Sequence, residues 1–349
     1  MKKFPLILAI SVTLLLSACA KPPAQTSTPA AGTPAASATA TPEPSGDALE
    51  KLDIQALGGG ACGAPSYIAY EKGFFKDHGL DVTLVSGTFE TNKAGLANGN
   101  YTIANGDFQF FPSANEGLDI KIIGGLHEGC IKLVVPPGSP IKTIADLAGK
   151  NIGVDEMGGT PMAVTSVLLA NNGIDPSSGV TWVPYPLDQL TVAVDKGEID
   201  AYAAWDPYAT IAEQKDNYTV LSDIATDPLF ADRSCCFLYA SGKQLKDNPQ
   251  RVKKVYDAYL DAQKWISENP DEAAQILSDK KYVPTEDVSF LAELLKSYNY
   301  DAHHSDNASK AKEDAVYFTN ELKKTGYLPN DLDSTAFIDN LFFDVNTIQ

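Results

Sequence analysis

The residues of this chain best suited to chemistry are its cysteines and a few polar positions beside glycines. His127 precedes Glu128 and lies three residues before Cys130, and Cys235 is followed directly by Cys236. A histidine, an acid and cysteines raise the question of a metal. No Cys-x-x-Cys pair occurs, and the spacing fits no common zinc pattern, so no metal is expected. Cys235 and Cys236 read as buried packing in a strand. Cys62 and Cys130 are candidates for a bridge. Nucleophilic catalysis finds no motif: G-x-S-x-G is absent, and the sequence shows no convergent acid, base and nucleophile set. The chain reads as a binder without a cofactor, not as an enzyme.

Gly58, Gly60 and Gly63 fit G-x-G-x-x-G after a strand. A dinucleotide site would also want an acid at the end of the next strand. Asp81 sits at that strand's beginning and Ser86-Gly87 at its end, so the loop reads as a tight turn whose N–H groups at Gly60, Ala61 and Cys62 face a ligand. Gly158, Gly159 and Thr160 precede a helix opening at Pro161, where free N–H groups and the helix dipole favour a polar or anionic group. Asp155 and Glu156 stand close by and oppose an anion if they point inward. Trp205 offers a stacking surface, and Asp206 an acceptor or a cap. Thr88, Asn105, Asp107 and His127, each near the end of an expected strand, complete the candidate ligand-binding set. These loops hold Asp107, Glu156 and Asp206 but no arginine, and Lys93 is the nearest lysine. An oxyanion receptor often offers a cation, though backbone donors can suffice. The balance leaves room for a neutral or cationic heterocycle.

The elements that must position these residues alternate. Strands are expected at Leu52–Leu57, Leu80–Val85, Tyr101–Ala104 and Ile120–Gly124, with helices from Pro65 to Lys72 and over Thr91–Asn98. Pro65 suits a first helical turn, and Gly73 and Gly99 suit helix ends. Cys130–Val135 is a longer apolar strand, stopped by Pro136-Pro137-Gly138, and the pattern then restarts. Strands follow at Asn151–Asp155, Val180–Val183, Ile199–Ala204 and Thr219–Leu221, with helices after Thr160-Pro161, over Leu187–Lys196 and over Tyr208–Gln214. Cys235–Ala240 is a further apolar strand. Beyond it the chain is helical. Val252, Val255, Tyr256, Tyr259 and Ile266 share one face of a helix opened by Pro249, and helices follow near 270–279, 286–298 and 308–325. Alternating strands and helices imply mostly parallel sheets covered on both faces. Two such sheets are expected, joined by crossings near Val135–Ser139 and Phe237–Ser241.

The N-terminal stretch differs from all of this. Lys2 and Lys3 precede an apolar run from Phe4 to Leu16, too short to span a bilayer, and Leu16-Ser17-Ala18-Cys19 closes it. The arrangement resembles a bacterial lipobox: residues 1–18 are a signal peptide, cleaved before Cys19, which takes the lipid. Removing two lysines and no acid moves the formal charge from −18 to −20. So acidic a chain argues against binding nucleic acid or an anionic membrane through a basic patch. Residues 20–48 contain no large apolar residue, so 19–48 reads as lipidated cysteine plus disordered tether. The remaining body is long enough for two lobes.

Three segments carry a family resemblance. Pro65-Ser66-Tyr67-Ile68-Ala69-Tyr70-Glu71-Lys72-Gly73-Phe74-Phe75 with Gly79-Leu80-Asp81-Val82 resembles the opening of ABC-transporter solute-binding proteins of the nitrate, taurine, alkanesulfonate and thiamine-pyrimidine group. Asp146-Leu147-Ala148-Gly149-Lys150-Asn151-Ile152-Gly153-Val154 resembles the entry to their second lobe. Gly197-Glu198-Ile199-Asp200-Ala201-Tyr202 with Trp205-Asp206-Pro207 resembles a later part of that lobe. The resemblance covers about residues 50–240. It implies an α/β chain with the two-lobed periplasmic-binding-protein type II fold, a ligand cleft between the lobes and a helical C-terminal return. On that pattern 49–137 plus 241–349 form lobe 1 and 138–240 lobe 2. It further implies a monomeric receptor, lipid-anchored at the extracytoplasmic face of a cell membrane or in a Gram-negative periplasm. Such a receptor takes up a small polar solute (a sulfonate, a nitrate-like anion or a thiamine-related pyrimidine). Its partners are a permease in the membrane and a cytoplasmic ATPase. An extracellular enzyme on the same fold and a ligand-sensing partner of a membrane receptor are the alternatives.

Overall fold

The computed structural model describes residues 48–56, 58–300 and 307–349. The expected signal peptide, the lipid attachment at Cys19 and nearly all of the tether lie outside the described residues.

Ten strands run in chain order: β1 (Glu50–Ala56), β2 (Leu80–Ser86), β3 (Ile103–Asp107), β4 (Ile120–Glu128), β5 (Ile131–Val135), β6 (Asn151–Val154), β7 (Thr181–Pro184), β8 (Ala201–Trp205), β9 (Thr219–Asp223) and β10 (Ser234–Ser241). They form two lobes of matching plan. In the first, β1 pairs with β2 in parallel, a bridge from Asp53 to Tyr101 leads to β3, and β10 lies antiparallel between β3 and β4. In the second the order is β7-β6-β8-β5-β9. There β6 is parallel to both neighbours and β5 antiparallel to both of its own.

Each sheet thus contains one reversed strand, which corrects the expectation of mostly parallel pairing. The reason lies in the crossings. Ile131–Val135 belongs wholly to the second sheet and Ser234–Ser241 wholly to the first. The chain therefore passes between sheets at 129–130 and within 224–233, earlier than the expected Val135–Ser139 and Phe237–Ser241. The prolines after Val135 end a strand, not a lobe. Gly129 fixes the first passage. It has φ +39°, and a Cβ there would lie 2.7 Å from the Cα of Ala225 on the second passage. The two passages run side by side at a spacing that only glycine permits.

Two strand ends run further than the sequence indicates. Gly106-Asp107 reads as a turn, yet Asn105, Gly106 and Asp107 pair with Leu238, Phe237 and Cys236. Gly106 is there for space: a Cβ would meet Phe110 at 2.4 Å. Likewise Gly125-Leu126-His127 lies inside β4, not in a loop beyond it. The helices follow the sequence closely, as at Ala64–Glu71, Phe89–Asn98 and Thr160–Asn171. Pro249–Glu268 buries Val252, Val255, Tyr256, Tyr259 and Ile266 on one face. The return helix Asn307–Lys324 packs on both β4 and Thr160–Asn171, so it touches both lobes. Among the described residues no helix is long and apolar enough to cross a membrane.

Candidate ligand cleft

The carboxyl ends of β1, β2 and β3 face those of β6 and β8 across a cleft of about 570 Å³, a size suited to a small molecule. Strand ends are where open α/β sheets present their loops, and each lobe contributes its own set. The first lobe supplies Cys62, Thr88, Phe89, Asn92, Asn105 and Gln109, the second Asp155, Glu156, Thr160, Leu187 and Trp205, and β10 supplies Cys236.

Five of the twelve sequence candidates line this wall: Cys62, Thr88, Asn105, Thr160 and Trp205. The remaining seven stand elsewhere. Gly60 and Ala61 are buried under the wall, and the Ala61 N–H donates to the Asp206 carbonyl across the lobes at 3.0 Å. Asp206 is buried too, its carboxylate accepting from the hydroxyls of Thr210 and Tyr298. Gly158 is exposed beside a smaller hollow, and Gly159 is the N-cap of the following helix. Asp107 and His127 are buried in strands for the reason given above: neither occupies a loop.

Sequence reasoning passed over Phe89, Asn92, Gln109 and Leu187. Only Asn92 carried a signal, one turn into a helix whose N-cap, Thr88, accepts from the Thr91 N–H. The sequence places Thr160 just before its helix, at the position of a cap. Gly159 takes that place, and the Thr160 hydroxyl lies against the Asp107 carboxyl on the opposite lobe.

The electrostatics are acidic. No lysine or arginine lines the cleft. Burial, then the charge of Glu156, pushes the Asp155 carboxyl up to about 7. Burial also raises Glu156, against the pull of the Phe89 N–H. Both Glu156 oxygens accept from that N–H, at 3.0 and 3.2 Å. The N-terminus of Phe89–Asn98, the place where an oxyanion would be favoured, is thus met by a carboxylate from the other lobe. Two side-chain atoms of the wall, Asn92 Oδ1 and Gln109 Oε1, are buried without a hydrogen-bond partner in the protein, while the Trp205 indole N–H lies against the Asp155 carboxyl. Each partnerless atom costs roughly 1–3 kcal/mol if left unmet, so their convergence on one cleft marks a place for a polar ligand.

Behind the wall the fold gathers residues that are far apart in sequence. His127, Cys130, Cys235 and Cys236 are buried with their ligand-type atoms within 4.8 Å of one another. Cys62, Cys130, Cys235 and Cys236 are all free thiols, so the candidate Cys62–Cys130 bridge is not formed.

With this geometry in place, comparison with known proteins is decisive at the family level. A family model described as NMT1/THI5 like matches residues 63–273, more than half of the sequence. The chain belongs to the NMT1/THI5-like family. A "Putative aliphatic sulfonates-binding protein" of Bacillus subtilis (strain 168) is 25% identical to this NMT1/THI5-like chain over 289 residues, covering 80% of it and 83% of the relative. The periplasmic aliphatic sulphonate-binding protein SsuA of Escherichia coli aligns with TM-score 0.65 and 18% identity over 84% of this chain and 92% of its own. The periplasmic nitrate-binding protein NrtA of Synechocystis PCC 6803 aligns with TM-score 0.65 and 20% identity over 84% and 86%. These structural likenesses establish the two-lobed periplasmic-binding-protein fold.

Proposed function

We propose that this chain is an extracytoplasmic receptor of an ABC importer. It closes its two lobes on a small polar solute and hands that solute to a membrane permease whose ATPase lies in the cytoplasm. A lipid on Cys19 holds the receptor at the membrane, and the tether lets the body reach the permease as a monomer. The receptor itself does no chemistry. The observation that carries this reading is the convergence of partnerless polar atoms, Asn92 Oδ1 and Gln109 Oε1, on an interlobe cleft of small-molecule size.

The charge and surface of the wall bear on the solute. An ionised Asp155 only accepts hydrogen bonds, Glu156 adds negative charge, and no cation lines the wall. Phe89 and Trp205 offer aromatic surface. We therefore read the solute as a neutral or cationic heterocycle carrying N–H donors, of the thiamine-related pyrimidine kind, in preference to a sulfonate or nitrate. This departs from the ligands named for the sulfonate- and nitrate-binding relatives. A thermal-shift screen of the purified protein tests it. Pyrimidines bearing an amino group should raise Tm, and alkanesulfonates and nitrate should not. A larger shift with the anions would overturn the solute assignment, and turnover of any hit would favour an enzyme on this fold. Neighbouring genes for a permease and an ATPase separate an importer from a ligand-sensing partner of a membrane receptor.

A further inference from the structure

The buried cluster behind the cleft has the dimensions of a coordination sphere. Cys130 Sγ is 4.0 Å from the sulfurs of both Cys235 and Cys236, and those two sulfurs are 3.7 Å apart. A zinc ion with Zn–S bonds of about 2.3 Å places its tetrahedral ligand sulfurs about 3.8 Å apart. A disulfide needs about 2.05 Å. His127 Nδ1 is 3.8 Å from Cys235 Sγ and 3.1 Å from the Glu128 carbonyl oxygen. The tautomer that donates to that carbonyl leaves Nε2, buried and without a hydrogen-bond partner, as the ligating nitrogen. A histidine whose second nitrogen is held by a carbonyl is the usual outer support of a bound metal.

Strand geometry explains how two adjacent cysteines reach one point. Neighbouring residues on a regular strand face opposite sides. Here Ser234 pairs with Glu128 and Cys236 with His127, so Cys235 is an extra residue at a break in register. Such a bulge re-aims a side chain, and it brings Cys235 to the side of Cys236. Tyr298 stacks on the His127 ring at 5.0 Å, with Tyr300 edge-on at 6.0 Å. Cys236 and Cys62 line the cleft, which gives a cation a route in.

We infer that His127, Cys130, Cys235 and Cys236 form a tetrahedral site for a thiophilic cation of the zinc(II) class, set in the cleft floor where the chain passes between lobes. Cys130 lies on the first passage, and Cys235 and Cys236 directly follow the second. A cation bound there ties the two passages together at the hinge. Cys62 lines the cleft and contacts Cys130 and His127 but lies outside the group of four whose ligand atoms stand within 4.8 Å of one another.

The test uses the full chain purified under reducing, oxygen-free conditions, stripped with chelator and loaded with zinc alone. One zinc per chain should be retained after gel filtration and should protect Cys130, Cys235 and Cys236 from alkylation. Cobalt(II) in its place should give tetrahedral d–d absorption with a thiolate charge-transfer band. Cys235→Ser and His127→Gln should each weaken binding at least tenfold, and Cys62→Ser should keep one equivalent. Far-UV circular dichroism of the stripped protein and of each variant checks folding. A folded, reduced chain that retains no zinc above the Cys130→Ser/Cys235→Ser/Cys236→Ser variant would overturn the site. So would an octahedral cobalt spectrum, or a disulfide among these cysteines in the protein as isolated. Solute binding is scored separately on zinc-free protein, so neither result decides the other.

Discussion

Trp205 and Asp155 bring the sharpest residue-level consequences. Trp205 ends β8 with its indole half-buried and its Nε1 hydrogen against the Asp155 carboxyl at the cleft. Trp205→Ala removes a stacking surface and a donor but little of the lobe's core. Solute affinity should fall about tenfold or more, as expected for an aromatic contact plus a hydrogen bond, while the denaturation midpoint of the free protein stays close to that of wild type. Unchanged affinity by calorimetry would remove Trp205 from the site. Asp155 makes a prediction in pH. Burial pushes its carboxyl up to about 7 in the folded chain, against about 4 when unfolded. Between those values the folded state holds the extra proton, so this group's contribution to stability declines as pH rises from about 4 to about 7 and is level above. Asp155→Asn should therefore gain stability relative to wild type over that interval, read as the difference in Tm between the two proteins across a pH series. A constant difference would place Asp155 in a more solvated setting than the structure gives it.

At the scale of elements, the decisive feature is how the chain changes sheet. Gly129 and Ala225 touch where the two passages run together, and Gly129→Ala adds a methyl both at a positive φ and against backbone. The substitution should cost ~2 kcal/mol or more, measured by urea unfolding. A cost near zero would mean the passages separate without strain. These passages also mark where the sequence stops being legible. Helix starts at Pro65, Pro161 and Pro249 and the apolar face of Pro249–Glu268 are local signals, and they read correctly. Gly106-Asp107 and Gly125-Leu126-His127 read as loops because glycine is a breaker in isolation. Only the neighbours Phe110 and Tyr239, supplied by tertiary packing, turn Gly106 into a strand position. The side chains of Asp107 and His127 were assigned to loops for the same reason. The cysteine cluster was illegible in a stricter sense. Cys130 and Cys235 are separated by 105 residues, and no Cys-x-x-Cys spacing reports a site assembled by β4, β10 and a bulge.

At the scale of the whole molecule, discrete polar contacts cross between the two lobes. Among them are Ala61 to Asp206, Phe89 to Glu156, and the hydroxyls of Ser166 and Tyr327 at 2.9 Å. Such a boundary suits hinge motion around a ligand. The cleft between them gathers acidic and hydrogen-bond-accepting groups, with Trp205 and Phe89 as aromatic surfaces. A solute with N–H donors meets the acceptors, and one with positive charge also answers Asp155 and Glu156. Affinity for a cationic solute should then strengthen as pH rises through about 7, where Asp155 ionises. The most direct test of this account is a calorimetric titration of the purified protein with an aminopyrimidine of the thiamine type and with an alkanesulfonate, each across that pH range. The account predicts one pyrimidine per chain, bound more tightly above pH 7 and lost in Trp205→Ala. Tighter binding of the sulfonate, indifferent to Trp205, would contradict it.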